Sequence, residues 1–214
     1  MSKRKNHDLK RQPPKKESYD LVLIVCEGEK TEPYYFKDLM NVEKLSSVNI
    51  SVISGEGSDP VSVVNTAIKE QKKQEKYLPF NTVYCVIDRD KHPNFNQAID
   101  KANANGIKII ASYPSFEYWY ICHFNCYRSP IISTGNKSAG ENCVSLLNEY
   151  WKEFFKKDYT KNQANLYALL LGKLETAVKH AKIGLQQAQD EGELNPSTQV
   201  YELVDYLRNI KAVK

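Results

Sequence analysis

Hydrophobic and polar positions form alternating blocks along the first half of the chain, each with the length of one strand or one helix. Short, nearly continuous apolar runs are typical of buried strands, and segments with apolar residues at helical spacing separate them. The predicted strands cover residues 21–26, 48–54, 82–87 and 107–111. The predicted helices between them cover residues 31–41, 59–76 and 94–105. This order predicts an α/β fold: a mostly parallel sheet of about four strands, sandwiched by helices.

The second half of the chain has a helical pattern instead. Residues 115–124 predict an aromatic-rich helix, and residues 127–140, rich in Ser, Gly and Asn, predict a mobile loop. Three further helices are expected over residues 141–157, 163–189 and 197–210. We therefore expect a flexible basic tail (1–18), an α/β core (19–126), and a loop with C-terminal helices packed on that core (127–214).

The composition of the chain indicates the cellular compartment. With 214 residues, 41% of them hydrophobic and 26% charged, the chain has the composition of an ordinary globular protein. No apolar run approaches the roughly 18 residues of a membrane span, and no signal-peptide core follows the basic N-terminus. Cys26 and Cys85 fall inside predicted strands, where a free thiol acts as a small hydrophobe. A cytoplasmic protein without membrane contact is expected.

The net charge of +4 is small, but its distribution is uneven. Asp8 is the single acid among the first sixteen residues, and Pro13 and Pro14 argue against a continuous helix there. The basic residues of this segment are Lys3, Arg4, Lys5, Lys10, Arg11, Lys15 and Lys16. Such an arm is suited to nucleic-acid phosphates, and it equally suits a solvated tail; the sequence leaves both open.

Carboxylates follow two of the predicted strands. Glu27 comes directly after the first, and Asp88 and Asp90 follow the third, with alternation sending these two to one side and Arg89 to the other. If the two strands are neighbours, the three acids lie close together and need a cation to offset their repulsion. Mg²⁺ or Mn²⁺ suits such oxygen ligands and supports phosphoryl-transfer chemistry. A D-x-D alone is also found in phosphatases, sugar transferases and surface turns, but the earlier strand ending in Glu27 favours the metal site.

Further polar residues have two interpretations each. Lys30 is a candidate phosphate ligand, or simply balances Glu27 and Glu29. Glu117 is a candidate fourth acid and metal ligand, or a first-turn glutamate that stabilises a helix. Glu32 fits a helix start or a supporting role beside the metal, and His123 fits a helix-packing position better than a catalytic one.

Four ordered motifs together are similar to those of one family. The chain contains "IVCEGEKTEPYYF", "VIDRDKHPNF", "SYPSFEYWYICHF" and the late "NPST" at residues 195–198. A strand-terminal Glu followed by a strand-terminal D-x-D resembles the Toprim catalytic domain of topoisomerases, primases and OLD-type nucleases. The set of four more closely resembles the RloB family and covers nearly all of the chain after the tail. The main departure is Tyr113 before Pro114, where a small polar residue is expected.

The resemblance implies a Toprim-like fold with Glu27 as general acid/base or metal ligand and Asp88 and Asp90 as metal ligands. It also implies a Mg²⁺- or Mn²⁺-dependent nuclease acting on DNA or RNA, with tRNA among the candidate substrates. RloB-like proteins are encoded beside restriction or phage-defence loci, commonly with an AAA-type ATPase partner, which points to an effector of anti-phage defence. The alternative is a non-catalytic nucleic-acid-binding or sensing subunit of the same kind of complex.

Overall fold

A five-stranded sheet organises the molecule. The computed structural model describes residues 20–47, 49–57, 59–89 and 93–210. The strands lie in the order β2-β1-β3-β4-β5. The first four are parallel, and β5 pairs with β4 in the antiparallel direction. Their bounds are β1 (Val22–Cys26), β2 (Ile50–Ser54), β3 (Thr82–Asp88), β4 (Ile107–Tyr113) and β5 (Ser197–Thr198). The predicted α/β class with a mostly parallel sheet is confirmed.

Eight α-helices accompany the sheet in the described part of the chain. They are α1 (Thr31–Val42), α2 (Pro60–Glu75), α3 (Phe95–Ala104), α4 (Glu117–Cys122), α5 (Ala139–Phe155), α6 (Leu166–Leu170), α7 (Leu174–Glu191) and α8 (Val200–Asn209). Asp59 caps α2, because its side chain accepts from the backbone N–H groups of Val61 and Ser62. Gly106 ends the turn after α3 with a φ of 66°, the left-handed conformation that glycine adopts readily.

The two faces of the sheet bury different kinds of core. One face packs α2 and α3 through small and aliphatic side chains such as Val63, Ala67 and Ala98. The other packs α1 and the helices of the second half through a core rich in aromatic rings, among them Trp119, Trp151 and Tyr35. All six residues of α4 are buried, so the aromatic run belongs to the core. His123 is also buried, with its ring against Trp119, and burial lowers its pKa to about 4.

The strand order changes direction next to β1, although the strands stay parallel. The segment after β1 leads through α1 to β2 on one side, whereas the segment after β2 leads through α2 to β3 on the other side. The helices α1 and α2 lie on opposite faces. In open parallel sheets, ligands bind beyond the carboxyl ends of the strands at such a switch point. The ends of β1 and β3 are therefore the place to look for a site.

The second half differs from its prediction in two places. Residues 163–189 do not form one helix: Asn162 and Asn165 adopt left-handed φ values of 63° and 61°, and a 3-10 segment (Leu171–Lys173) separates α6 from α7. A left-handed residue cannot continue a right-handed helix, so the helix begins only at Leu166. Ser197 and Thr198, expected to begin the last helix, instead form β5, so the sheet has five strands. The domain bounds at residues 18 and 126 stay a prediction.

Across the described residues, none of the helices combines the length and apolar character required to pass through a membrane.

Candidate functional site

The ends of β1 and β3 bring Glu27 and Asp88 into contact. Cys26 pairs with Val86 in the parallel register, and the backbone N–H of Glu27 continues that ladder by donating to the Val86 carbonyl at 2.9 Å. The Glu27 side chain then turns toward β3, where its Oε2 accepts from the backbone N–H of Asp88 at 2.9 Å. The two predicted acids are thus held together by the sheet itself.

Asp88 occupies the most crowded electrostatic position of the site. It is the last residue of β3 and pairs in register with Ser112 of β4. Burial raises the pKa of its carboxyl well above the usual range, and the negative charges of Glu32, Glu117 and Glu27 raise this pKa further. All four carboxyl groups therefore share one electrostatic environment.

Glu117 enters this cluster from the start of α4. It is 2% exposed, and its Oε2 accepts a hydrogen bond from Ser115 Oγ at 2.7 Å. Its Oε1 lies 3.3 Å from Lys161 Nζ, but accepts no hydrogen bond from any group of the described chain. The structure therefore places Glu117 beside Asp88, while its role as a metal ligand stays a prediction.

Glu32, in the first turn of α1, is buried in the site. It is 5% exposed, and its Oε1 accepts from the backbone N–H of Gly28 at 3.2 Å. A Cβ atom at position 28 would lie 2.2 Å from Glu32 Oε2, so any larger residue there would require the Glu32 carboxyl group to move. Burial raises the pKa of Glu32 to about 7, with Glu117 and Glu27 adding to the shift.

The four carboxyl groups line a cavity of about 470 Å³. Lys30, the predicted phosphate ligand, is exposed on its wall beside the first turn of α1. A second cavity of about 300 Å³ shares Asp88, Glu117 and Lys161 with the first. The site is consequently a two-part cleft with Asp88, Glu117 and Lys161 at the junction.

The segment after β3 is described only in part. Asp90, predicted as a metal ligand, lies outside the described residues. Arg89 packs its guanidinium over the rings of Phe95 at 4.8 Å and Tyr113 at 5.7 Å. Tyr113, the departure from the family pattern, thus provides one face of an arginine-binding pair next to the site.

Two residues of the site were not predicted from the sequence. Lys161 and Asn162 both line the larger cavity, although they belong to the loop between α5 and α6. Thr31 Oγ1 donates to Asn162 Oδ1 at 2.9 Å, which joins this loop to the start of α1. A lysine-asparagine pair between two helical patterns is a common surface sequence, so the tertiary structure alone reveals its location.

The acids of the cleft supply the type of oxygen ligand that a divalent cation needs, but they are not arranged as a complete metal site. Carboxylate oxygens are the donors that hard cations such as Mg²⁺ select, and a bound cation would offset the repulsion between the clustered acids. Within the described ranges, however, no group of three or more His, Cys, Asp or Glu side chains is arranged to hold a metal ion. The ligand atoms therefore suit a metal ion, whereas the positions of the described side chains do not form a three-residue metal site.

Fold and site together define an α/β protein with an acidic cleft at the switch point of a mostly parallel sheet. The sequence matches the family model described as RloB-like protein over residues 22–207. The chain therefore belongs to the RloB-like family, as its four motifs predict. No curated protein and no solved structure matches the chain.

Proposed function

We propose that this protein is a divalent-metal-dependent nuclease with a Toprim-like catalytic site, which hydrolyses phosphodiester bonds of DNA or RNA. The observation that carries the proposal is the position of Asp88 at the end of a central strand. Burial and then three other carboxylates raise its pKa there, and two of these carboxylates accept hydrogen bonds from backbone N–H groups. Concentrating ionisable acids at a sheet edge costs stability, which is a common signature of a functional site.

Each residue has a role in this proposal. Asp88 and Glu117, with Asp90 and Glu27, would hold Mg²⁺ or Mn²⁺, and the bound metal would neutralise charge on the reacting phosphate and activate water. Glu27 is the general acid/base, because its carboxyl is oriented by the Asp88 backbone N–H. Lys30, exposed on the cavity wall, would offset phosphate charge.

The proposed biological setting rests on the resemblance to the RloB-like family. We place the protein in prokaryotic anti-phage defence, as the effector of a system with an AAA-type ATPase partner, because its motifs are those of the RloB-like family. A cytoplasmic location agrees with the state of the cysteines, since Cys26, Cys85, Cys122, Cys126 and Cys143 are all free thiols.

The test is cleavage of labelled DNA and RNA, tRNA included, by the purified protein with and without the ATPase encoded beside it. Asp88→Ala and Glu27→Gln are each expected to slow Mg²⁺- or Mn²⁺-dependent cleavage by at least about 100-fold, the usual contribution of an acid/base group. Glu149→Gln changes the same charge on the exposed side of α5 and should retain full activity. Wild-type cleavage rates in both site variants would contradict the proposal.

One observation favours a second candidate, a non-catalytic nucleic-acid-binding or sensing subunit. Seven of the first sixteen residues are Lys or Arg, and such a segment suits nucleic-acid phosphates. On this alternative, Asp88→Ala protects cells from phage as well as the wild type does. Removal of residues 1–18 should then weaken nucleic-acid binding and reduce its salt dependence. Loss of protection in Asp88→Ala, with the variant folded and bound to its partner, decides for the nuclease.

A further inference from the structure

The loop between α5 and α6 delivers a lysine to the carboxylate cluster. Lys161 Nζ lies 3.3 Å from Glu117 Oε1, yet the lysine side chain is 59% exposed whereas that of Glu117 is 3% exposed. The ammonium group therefore stands at the boundary between the buried acids and solvent. An ammonium group in this position can contact a ligand that enters the cleft, and the loop does not have to move.

The position of Lys161 is fixed by its neighbour. Asn162 adopts a left-handed φ of 63°, a conformation that asparagine tolerates better than most residues. This turn presents its side-chain oxygen to the Thr31 hydroxyl at 2.9 Å. Thr31 is the first residue of α1, so Lys161 is held beside the end of α1 that carries positive partial charge.

The contact between Lys161 and Glu117 leaves the ammonium group able to bind a further acceptor. Glu117 Oε1 accepts no hydrogen bond in the described structure, so the 3.3 Å contact is electrostatic. An ammonium group has three N–H donors. Lys161 also lines both parts of the cleft, the larger cavity and the adjoining one.

An anionic ligand in this cleft needs a cation to offset the surrounding acids, and Lys161 is one such cation beside the proposed metal. The larger cavity is lined by five acids, Glu27, Glu29, Glu32, Asp88 and Glu117, whereas its cationic lining residues, within the described ranges, are Lys30 and Lys161. A phosphodiester entering this cavity meets net repulsion unless a cation contacts it directly. Lys161 is the one of these two lysines that is shared by both cavities.

We propose that Lys161 is a substrate-binding residue that contacts a backbone phosphate of the nucleic acid at the junction of the two cavities. This inference rests on the proposed nuclease function and extends it to a residue outside the family-like motifs quoted above. The competing explanation is that Lys161 serves only as a counter-ion for Glu117.

Binding of short single strands separates the two explanations. Fluorescein-labelled twelve-nucleotide DNA and RNA are titrated with the full chain in EDTA and in Ca²⁺, at several salt concentrations. Lys161→Met is expected to weaken binding about tenfold or more, the usual loss for a charged hydrogen bond. It should also lower the salt slope by about 0.7, the contribution of one phosphate contact on a single strand. Lys161→Arg should restore most of the affinity.

Two further variants make the result specific. Lys157→Met removes the same charge from an exposed position four residues earlier in the segment, and should leave the affinity within about twofold of the wild type. Glu117→Gln/Lys161→Met is compared with Glu117→Gln alone. A phosphate ligand predicts that the double variant still binds about tenfold more weakly, whereas a pure counter-ion predicts equal binding.

The inference is overturned if Lys161→Met binds as tightly as Lys157→Met, if the double variant matches Glu117→Gln, or if the wild type binds neither oligonucleotide. Failure of the nuclease proposal gives a different pattern. In that case the wild type binds the strands through Lys161, and no metal, with or without the ATPase, produces cleavage.

Discussion

The acids of the cleft and the lysine at position 161 are positioned by two different kinds of structure. Glu27 and Asp88 stand at the ends of β1 and β3, where parallel backbone ladders fix their Cα positions. Lys161 belongs to an exposed loop that contacts the site through a side-chain hydrogen bond, from Thr31 to Asn162. The acidic half of the site (Glu27, Glu32, Asp88 and Glu117) is anchored by the strand ends. The cationic half (Lys161) depends on a contact worth about 1 kcal/mol.

The same contrast extends to electrostatics. The acids are buried together, so the pKa values of Asp88 and Glu32 are raised and their ionisation opposes folding. The ammonium of Lys161 is largely in solvent, and its exposed side chain is hydrated whether or not it pairs with Glu117. Acidic residues thus carry most of the energetic cost of the site, and the lysine carries little.

Glu32→Gln gives the largest expected effect on stability. The pKa of Glu32 is about 7 in the folded protein, raised from 4.5. The folded state therefore holds this proton over a pH range in which the unfolded state has lost it. Stability accordingly falls as pH rises from about 4.5 to about 7, by up to about 3 kcal/mol from this group. Glutamine keeps an oxygen for the Gly28 N–H and removes the ionisation, so the variant should lose most of this decline.

Urea denaturation in EDTA at several pH values from 4.5 to 8 measures the decline. Glu149→Gln, on the exposed side of α5, is the matched control and should follow the wild-type curve. If Glu32→Gln and the wild type lose stability in parallel over this range, the buried acidic half does not carry the cost described above.

Gly28→Ala tests how tightly the acidic half is packed. The added Cβ would lie 2.2 Å from Glu32 Oε2, a distance that requires the buried carboxyl group to move. We expect a loss of about 1–3 kcal/mol in the free energy of unfolding, the usual cost of overpacking. Chemical denaturation at pH 7 measures this loss.

Gly172→Ala is the control for that experiment. No heavy atom lies within 4 Å of a Cβ at position 172, so alanine there should be neutral or slightly stabilising. Equal stability of the two alanine variants would show that Glu32 does not need the space above Gly28.

The comparison also explains which parts of the molecule could be predicted from the sequence. The buried strands and the Asp59 cap of α2 follow from local patterns, which is why the parallel core and the meeting of Glu27 with Asp88 were predictable. Adjacent parallel strands bring their ends together whatever the details of packing. The predicted acid at Glu117 also joins the cluster, because α4 begins just beyond β4.

The second half was less predictable because its features depend on contacts distant in sequence. Asn162 and Asn165 interrupt an otherwise helical pattern through left-handed backbone conformations that many asparagines do not adopt. β5 has two residues and exists through its pairing with β4, so no periodicity indicates it. The Thr31–Asn162 hydrogen bond joins residues 131 positions apart, and no local signal places Lys161 beside Glu117.

Thr31→Val gives the smallest expected effect and tests the anchor of the cationic half. Valine preserves the shape of the buried threonine side chain and removes the hydroxyl that donates to Asn162 Oδ1. We expect a loss of about 1 kcal/mol in the free energy of unfolding. Oligonucleotide affinity should fall by only a few-fold, less than in Lys161→Met, because the lysine is still present but held less firmly.

Thr160→Val, at an exposed position in the same loop, is the matched control and should leave stability and affinity unchanged. The two variants are compared by urea denaturation and by titration with the labelled single strands. If Thr31→Val loses the stability but keeps full affinity, Lys161 finds its position without the anchor. If it loses as much affinity as Lys161→Met, the Thr31–Asn162 hydrogen bond is the main constraint on the position of the lysine.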